Sequence, residues 1–391
     1  MLTVRAMNIP EVLQYRALCA LCFNAPLTQP PPRCPDLTAS FAAFDGDELL
    51  AGMLAHRFQI HFQGEVVGMA GIGGVASWPE KRRAGAVRAV FEAMLPELYA
   101  RGDVFSALYP FSHAFYRKFG YELCMQLTHA RVTPQALGSG AAETTGSFEL
   151  HLPSDDHAVI YGLRERYAQR FDFTLKREPE RFDDLLGKDP YADLQPVYLW
   201  RDDAGEPQGY IVFKRECEAG QNFATVLDAA YLTPEALRSI LRFLGRFNSY
   251  DHYRITLPPD VELRAFIGEA YQATCERNCA GMARVINVEK ALRVTRAPSC
   301  DGTITLRVRD GQIPQNNGTF AVAYADGAAS VSRCDDEPDL TLSIQALTQL
   351  VTGAMEYDAF RMCASDVVFH KDNPLLPLCF PKRMLFMNDG F

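Results

Sequence analysis

In the first part of the chain, the period of the apolar positions changes between elements, and each period predicts a type of element. After Pro10 the apolar residues recur at intervals of three and four, which predicts a helix with this proline in its first turn. From Phe41 the pattern alternates, with a turn signal at 45–48, and it predicts an antiparallel meander that ends at Trp78. The prolines at 26–35 exclude regular structure between these elements, so this loop is either a connector or a lid over a substrate.

Helical spacing returns at residues 87–98 and predicts a helix packed on the sheet, in which Pro96 indicates a kink or an early end. The stretch before it, residues 75–88, reads VASWPEKRRAGAVR, which is a strand, a basic turn and the start of a helix. The free N–H groups and the dipole of a first helical turn attract a diphosphate, and Gly85 lets the backbone approach it closely. An ordinary strand–helix junction with a solvated basic turn is the alternative interpretation.

The same order of strand, turn and helix recurs at residues 223–247, which indicates a diverged internal repeat. Its turn, residues 231–235, has neither glycine nor arginine, so we expect this second copy to bind no cofactor and to serve as scaffold. From about residue 286, alternating strands separated by turn residues precede another amphipathic helix. These patterns predict a mixed α+β protein of three domains, at 1–148, 149–285 and 286–391.

The composition limits the classes of partner. Of the 391 residues 48% are hydrophobic and 22% are charged, as in globular proteins with more than one core. The net charge of −9 argues against nucleic acid or an anionic membrane and fits a cationic small molecule. The chain lacks a signal-peptide pattern and a run of about 18 apolar residues, which predicts a cytoplasmic protein without a membrane span. Neither the Cys19/Cys22 pair nor the Cys275/Cys279 pair has a second pair at zinc-site spacing, so no metal is predicted and the cysteines are interpreted as free thiols.

The segment FYRKFGY at 115–121, together with the loop at 83–88, resembles the acetyl-CoA site of the GNAT N-acetyltransferases. In that family a Q/R-x-x-G-x-G/A loop holds the pyrophosphate, and the tyrosine of an F-Y-x-x-x-G-F/Y segment protonates the leaving thiolate. Here Arg88 replaces the last glycine or alanine of the loop. Tyr116 matches the family's tyrosine, while Tyr121 is the competing candidate and is interpreted as a core residue.

The third region resembles the sterol-carrier-protein-like fold, and the chain stays apolar up to its last residue, Phe391. Tandem GNAT folds, the second of them degenerate, followed by a sterol-carrier-like domain and a terminal Phe resemble the Eis (enhanced intracellular survival) family over essentially the full chain. The matching stretches are VASWPEKRRAGAVRAV, FYRKFGY and RVINVEKAL. The resemblance implies acetyl transfer from acetyl-CoA to an amine of a cationic small molecule, such as an aminoglycoside, a polyamine or a lysine-like amine. It also implies a homohexamer built as a dimer of trimers.

The resemblance further implies roles for individual residues, with Tyr116 as general acid, the α-carboxylate of Phe391 as general base and Asp389 beside the cationic acceptor. Acetyl-CoA would contact Val75, Ala76, Ser77, Arg83, Ala84, Gly85, Ala86, Val87, Arg88, Phe111 and Ser112. Two other functions stay open from the sequence. One is an N-myristoyltransferase-like acyltransferase, which also joins two GNAT folds and uses a C-terminal carboxylate but has no third domain. The other is a lipid- or sterol-carrying protein that binds without turnover.

Overall fold

The computed structural model of the chain describes residues 2–24, 27, 39–140, 145–296 and 298–391. The loop predicted at 26–35 lies outside these residues, apart from Leu27. The elements of the first part follow in the order β1 (Leu2–Arg5), α1 (Ile9–Phe23), β2 (Ser40–Asp45), β3 (Glu48–Phe62), β4 (Glu65–Ser77), α2 (Ala86–Arg101), β5 (Phe105–Leu108), α3 (His113–Arg117), β6 (Glu122–Val132) and α4 (Pro134–Gly140).

The middle part of the chain contains β7 (Ser147–His151), α5 (Ala158–Ala168), β8 (Thr174–Leu175), α6 (Asp183–Leu186), β9 (Val197–Arg201), β10 (Pro207–Glu218), β11 (Gln221–Tyr231), α7 (Pro234–Leu244), β12 (His252–Leu257) and β13 (Ala273–Val285). The last part contains α8 (Val288–Arg293), β14 (Gly302–Arg309), β15 (Gly318–Ala325), β16 (Ala328–Cys334), β17 (Leu340–Ser343), α9 (Ile344–Thr352), α10 (Tyr357–Cys363), β18 (Val368–Phe369) and α11 (Leu376–Cys379).

These elements form two compact units. Unit 1 comprises residues 1–125, 280–383 and 389–391, and unit 2 comprises residues 126–279 and 384–388. The predicted three-domain division at 148 and 285 stays a prediction. No helix among the described residues has the length and the apolar run that crossing a bilayer requires.

Unit 1 contains strands in the order β1-β2-β3-β4-β5-β13. The predicted meander is confirmed, because β2, β3 and β4 pair in antiparallel fashion. β5 pairs in parallel with β4, and α2 covers the sheet. The apolar positions of α2 that were predicted from their spacing lie in the core, and the buried ones are Val90, Phe91, Met94, Leu95 and Leu98.

Of the two outcomes predicted at Pro96, the early end is wrong, because α2 continues through this residue to Arg101, and the kink stays a prediction. A proline inside a helix removes one backbone hydrogen bond. Buried side chains nevertheless hold the helix against the core on both sides of Pro96, namely those of Met94, Leu95 and Leu98. The helix ends instead at Gly102, whose φ of +90° is in the left-handed region that favours glycine.

Unit 1 also contains a five-stranded sheet in the order β16-β15-β14-β17-β18. It confirms the strands and the amphipathic helix α9 that were predicted for the last part of the chain. Unit 2 contains strands in the order β6-β12-β11-β10-β9-β7, with α7 packed against β10 and β11. The strands β9 and β10 pair in antiparallel fashion as a hairpin.

Candidate active site

The strand β4 has an open edge beyond the point where it leaves β5. The parallel pairing between the two strands ends at Ile72 and Leu108. On its other side β4 stays paired with β3 as far as Ser77. Among the described residues no strand pairs with 73–77 on the β5 side, so an extended ligand can lie along this edge and pair with the backbone.

A β-bulge fixes the backbone at this edge. Between the pairs Leu54–Gly73 and Gly52–Ala76, β4 carries one residue more than β3. Gly74 adopts a φ of +62°, and the hydroxyl of Tyr15 donates to its carbonyl at 2.6 Å. A Cβ at this position would lie 2.1 Å from the tyrosine oxygen, so only glycine fits the bulge.

The mouth of α2 has the properties that were predicted for an anion site. Gly85 is the N-cap residue with a φ of +84°, and no side chain caps the first N–H groups. Apart from its chain neighbours, no atom of the described residues lies within 4 Å of the place where a Cβ of Gly85 would be, so this part of the structure leaves the backbone open to a ligand. Arg83, itself at a φ of +67°, and Arg88 are exposed and have no hydrogen-bond or ion-pair partner among the described residues. An uncapped dipole and two available guanidinium groups favour a diphosphate here.

Tyr116 lies on the short helix α3, which begins with Ser112 as its N-cap residue. The tyrosine is only 3% exposed, and its ring lies 5.2 Å from that of Phe111, which is 70% exposed. Its hydroxyl has no hydrogen-bond partner among the described residues. Burial, with a smaller contribution from Tyr121, raises the pKa of Tyr116 above its ordinary value, so the phenol keeps a proton that it can donate.

Tyr121 is fully buried, and its proton is already used inside the core. Its hydroxyl lies 2.7 Å from that of Ser106, which lies 2.9 Å from the carbonyl of Ala70. Because the serine has one proton and gives it to the carbonyl, Tyr121 donates to the serine. Burial raises the pKa of Tyr121 to about 12, although the hydrogen bond with Ser106 opposes this effect. This arrangement supports the prediction that Tyr121 is a core residue.

The last residue of the chain, Phe391, lies over two glycines of β4, Gly71 and Gly73, which together form what we call its seat. The ring of Phe391 lies over Gly71, between the rings of Phe58 and Tyr109, with both centroids 5.3 Å away. Its carboxyl carbon lies 3.1 Å from the point where a Cβ of Gly73 would be. The terminal carboxylate therefore stands over the residue at which β4 begins to leave β5.

The structure brings together several of the residues predicted for the site. The Phe391 carboxylate lies over Gly73, two residues before Val75 on the open edge, which leads to the mouth of α2. Asp389 is 9% exposed, and its carbonyl accepts a hydrogen bond from the Tyr109 hydroxyl at 2.8 Å. This bond ties the tail to the end of β5 and places the Asp389 side chain near the terminal residue.

Comparison with known proteins shows what each part of the chain is similar to. Residues 3–124 and 174–285 match family models described as acetyltransferase (GNAT) domains, and residues 288–364 match the sterol carrier protein domain. The N-acetyltransferase Eis of Mycobacterium tuberculosis is 26% identical over 345 residues, which are 85% of this chain and 82% of that protein. The chain is therefore similar to the Eis N-acetyltransferases over most of its length. The predicted fold, two GNAT domains followed by a sterol-carrier-like domain, is thereby confirmed, and the protein is an acetyltransferase.

Solved structures of similar fold cover nearly the whole chain. A GCN5-related N-acetyltransferase from Anabaena variabilis superposes with a TM-score of 0.85 at 21% identity, over 99% of this chain and 98% of that chain. An Eis protein from Mycobacterium abscessus superposes with a TM-score of 0.78 at 18% identity, over 100% of this chain and 99% of that chain. At these identities the likeness shows the fold alone. GNAT acetyltransferases use acetyl-CoA as co-substrate.

The second GNAT copy differs at the position that corresponds to the first turn of α2. β11 and β12 also separate, after Thr225 and Arg254, but α7 begins with Thr233, whose side chain accepts from the N–H of Ala236 at 3.1 Å. The first turn of α7 is therefore capped by the chain itself. Where the strands separate there is a cavity of about 110 Å³ with mainly apolar walls. The self-capped turn lacks the free N–H groups of the turn before α2, and the absence of acetyl-CoA from unit 2 stays a prediction.

Two segments distant in sequence support the turn that follows Tyr116. Arg284 on β13 is fully buried, its Nη2 lies 2.8 Å from both carboxylate oxygens of Asp310, and its Nη1 donates to the carbonyl of Phe119 at 2.8 Å. On α9, Gln345 donates to the carbonyl of Arg117 at 2.9 Å. These bonds satisfy carbonyls at the end of α3 and so hold the helix that carries the tyrosine.

Sequence reasoning missed several residues that build the site. Gly71 and Gly73 form the seat of Phe391, Tyr15 fixes the bulge, and Tyr109 holds the tail. The alternating glycines of GMAGIGG were a usable signal, because two glycines on one face of a strand leave room for another group. Among the described residues no group of three or more His, Cys, Asp or Glu side chains could hold a metal ion.

Replacing Gly71 with alanine tests the seat of the terminal residue. The added Cβ would lie 2.5 Å from Phe58 and 2.9 Å from Phe391, so an aromatic ring must shift. We expect Gly71→Ala to lower kcat by about 10- to 100-fold, because a displacement of about 1 Å at a reacting group costs up to that much. The Kd for acetyl-CoA, measured by calorimetry, should stay near that of the wild type.

Gly68→Ala is the matched control on the same strand. Its Cβ would meet its nearest neighbour, an oxygen of Asp103, at 3.4 Å, which is ordinary contact. We expect this variant to retain wild-type kcat. Equal activity of the two variants would show that the position of the Phe391 ring over Gly71 is irrelevant to turnover.

Proposed function

We propose that this protein transfers an acetyl group from acetyl-CoA to a primary amine of a cationic small molecule, such as an aminoglycoside, a polyamine or a lysine-like amine. Tyr116 acts as general acid and the Phe391 carboxylate as general base. The observation that carries the proposal is the seat of this carboxylate over Gly73, at the separation of β4 and β5. A carboxylate at this place can take a proton from an amine that approaches the open strand edge.

The residues present fit acetyl-CoA, which supplies an acetyl thioester and a thiol leaving group. We propose that the edge of β4 holds its amide-bearing arm and that the uncapped mouth of α2 holds its pyrophosphate. The contacting residues would be Val75, Ala76, Ser77, Arg83, Ala84, Gly85, Ala86, Val87, Arg88, Phe111 and Ser112. The open space over Gly85 and the available guanidinium groups of Arg83 and Arg88 support this assignment.

The proposed roles conserve protons. The Phe391 carboxylate takes one proton from the acceptor ammonium, and the neutral nitrogen then forms the new C–N bond. The N–H of Val75 stabilises the oxygen that becomes negative. As the C–S bond breaks, Tyr116 donates its proton to the sulfur. Tyr116 then accepts the second proton that the amine nitrogen loses, and is protonated again. The proton on the carboxylate passes to solvent. The raised pKa of Tyr116 fits this role, because the group must be protonated when sulfur departs.

The charge of the chain supports a cationic acceptor. The net charge is −9, and the acceptor side of the site contains the terminal carboxylate and the buried Asp389. We propose that Asp389 helps to hold the cation. The rings of Phe58 and Tyr109 contact the ring of Phe391, and aromatic faces also attract cations.

The two alternative functions have less support. The N-myristoyltransferase-like function predicted no third domain, whereas residues 288–364 match a sterol carrier protein domain. The lipid-binding function predicted no turnover, whereas the similarity to named N-acetyltransferases supports an enzyme.

We further propose the domain limits 1–148, 149–285 and 286–391, a cytoplasmic location and a homohexamer formed as a dimer of trimers.

Release of free CoA tests the proposed function. Purified protein is incubated with acetyl-CoA and a panel of polyamines, aminoglycosides and lysine-like amines, and the free thiol is measured against time. We expect turnover with at least one cationic amine and none with neutral alcohols of similar size. If no amine raises CoA release above the rate without acceptor, the proposed acceptor class is wrong.

A further inference from the structure

His56 lies beside the terminal carboxylate on the same face of the sheet. On β3 it stands opposite Gly71, and Leu54 stands opposite Gly73. Because side chains alternate along a strand, His56 points to the face on which Phe391 is seated. The point where a Cβ of Gly73 would be lies 3.6 Å from His56 Nε2, 3.1 Å from the carboxyl carbon of Phe391 and 3.2 Å from its oxygen.

The imidazole is held in this place by aromatic contacts. Its ring stacks on that of Phe58 with a centroid distance of 5.8 Å and an interplanar angle of 19°. The ring of Phe58 in turn contacts that of Phe391 at 5.3 Å, so the histidine and the terminal residue share one wall. Nε2 of His56 and the Phe391 carboxyl group therefore lie next to the same position over Gly73.

We propose that His56 is a positioning residue for the general base, and that its Nε2–H donates a hydrogen bond to the Phe391 carboxylate when the acceptor amine is bound. This inference rests on the proposed function. A carboxylate at the end of a chain can rotate about its last bond, and a base must present a lone pair to the amine. A neutral imidazole that binds one oxygen stops this rotation and leaves the other oxygen for the amine proton, as histidine–carboxylate pairs do elsewhere.

The test combines a substitution at His56 with an extension of the chain. We expect His56→Ala to lower kcat by about 10- to 100-fold, the range of a hydrogen bond to a charged group, without a change in the Kd for acetyl-CoA. His56→Gln retains an N–H donor and should recover part of the loss. The matched control is Arg57→Gln, the next residue on the opposite face of β3, which should leave kcat unchanged.

Combining His56→Ala with the chain extension distinguishes a positioning role of His56 from a general effect of the substitution on folding. In a protein with one glycine added after Phe391 the carboxylate is displaced, so His56→Ala should reduce the remaining rate by less than about twofold. Equal fold losses in the native and the extended protein would overturn the inference, as would wild-type kcat in His56→Ala. Full activity of the extended protein itself would instead overturn the proposed base, which makes the two failures distinguishable. Thermal melting of each variant shows that it is folded.

Discussion

Adding one glycine after Phe391 is expected to lower kcat by about 10²- to 10⁴-fold, the contribution of a positioned general base. The extension turns the α-carboxylate of Phe391 into a peptide amide. The group over Gly73 can then no longer accept a proton from the amine. The Kd for acetyl-CoA should stay within about twofold of the wild type, because the proposed contacts of the cofactor lie on β4, α2 and α3. Steady-state kinetics of CoA release and calorimetry with acetyl-CoA measure the two quantities.

A second variant separates the ring from the carboxylate. Phe391→Leu keeps the α-carboxylate but loses the contacts with Phe58 and Tyr109, so its kcat should fall less than that of the extended protein. One glycine added at the N-terminus is the control for an extension as such and should leave the kinetics unchanged. An extended protein with wild-type kcat would rule out the terminal carboxylate as base.

Tyr116→Phe is expected to lower kcat by about 100-fold with little change in the Kd for acetyl-CoA. The substitution keeps the ring contacts with Phe111 and Phe91 and removes only the hydroxyl, which has no hydrogen-bond partner among the described residues. Loss of a proton donor to the leaving group costs about 10²-fold or more. The raised pKa of Tyr116 adds a pH criterion: its ionisation should not limit kcat up to pH about 10, the ordinary pKa of a tyrosine.

Tyr121→Phe is the matched control for this prediction. It deletes a fully buried hydroxyl that donates to Ser106, so it should lower the free energy of unfolding by about 1 kcal/mol while kcat changes only a few-fold. If Tyr121→Phe abolished turnover and Tyr116→Phe did not, the assignment of the general acid would be reversed.

The apolar periodicity of the sequence determined much of the fold. Alternation at β2–β4, helical spacing along α2 and the same order at β11–α7 all depend on neighbours in the chain, so a period of two or of about 3.6 indicates the element directly. The basic, glycine-bearing turn at 82–85 also predicted an open helix mouth, because capping and φ are local properties. Pro96 shows the limit of local reasoning, since buried neighbours hold α2 together where the proline alone would end it.

The site as a whole was decided only by the tertiary structure. Gly73 and Phe391 are more than 300 residues apart in the sequence, and nothing local to either residue indicates that one is the seat of the other. His56 carries no motif at all, and only the register of β3 with β4 places it opposite Gly71, over which Phe391 lies. Likewise, the role of Tyr121 in the core follows from its bond to Ser106. The sequence by itself determined the elements and the basic turn, and its resemblance to a known family supplied Tyr116 and Phe391 as candidates. Only the tertiary structure decided where Phe391 is seated and which residues surround it, because contacts between distant segments depend on register and packing.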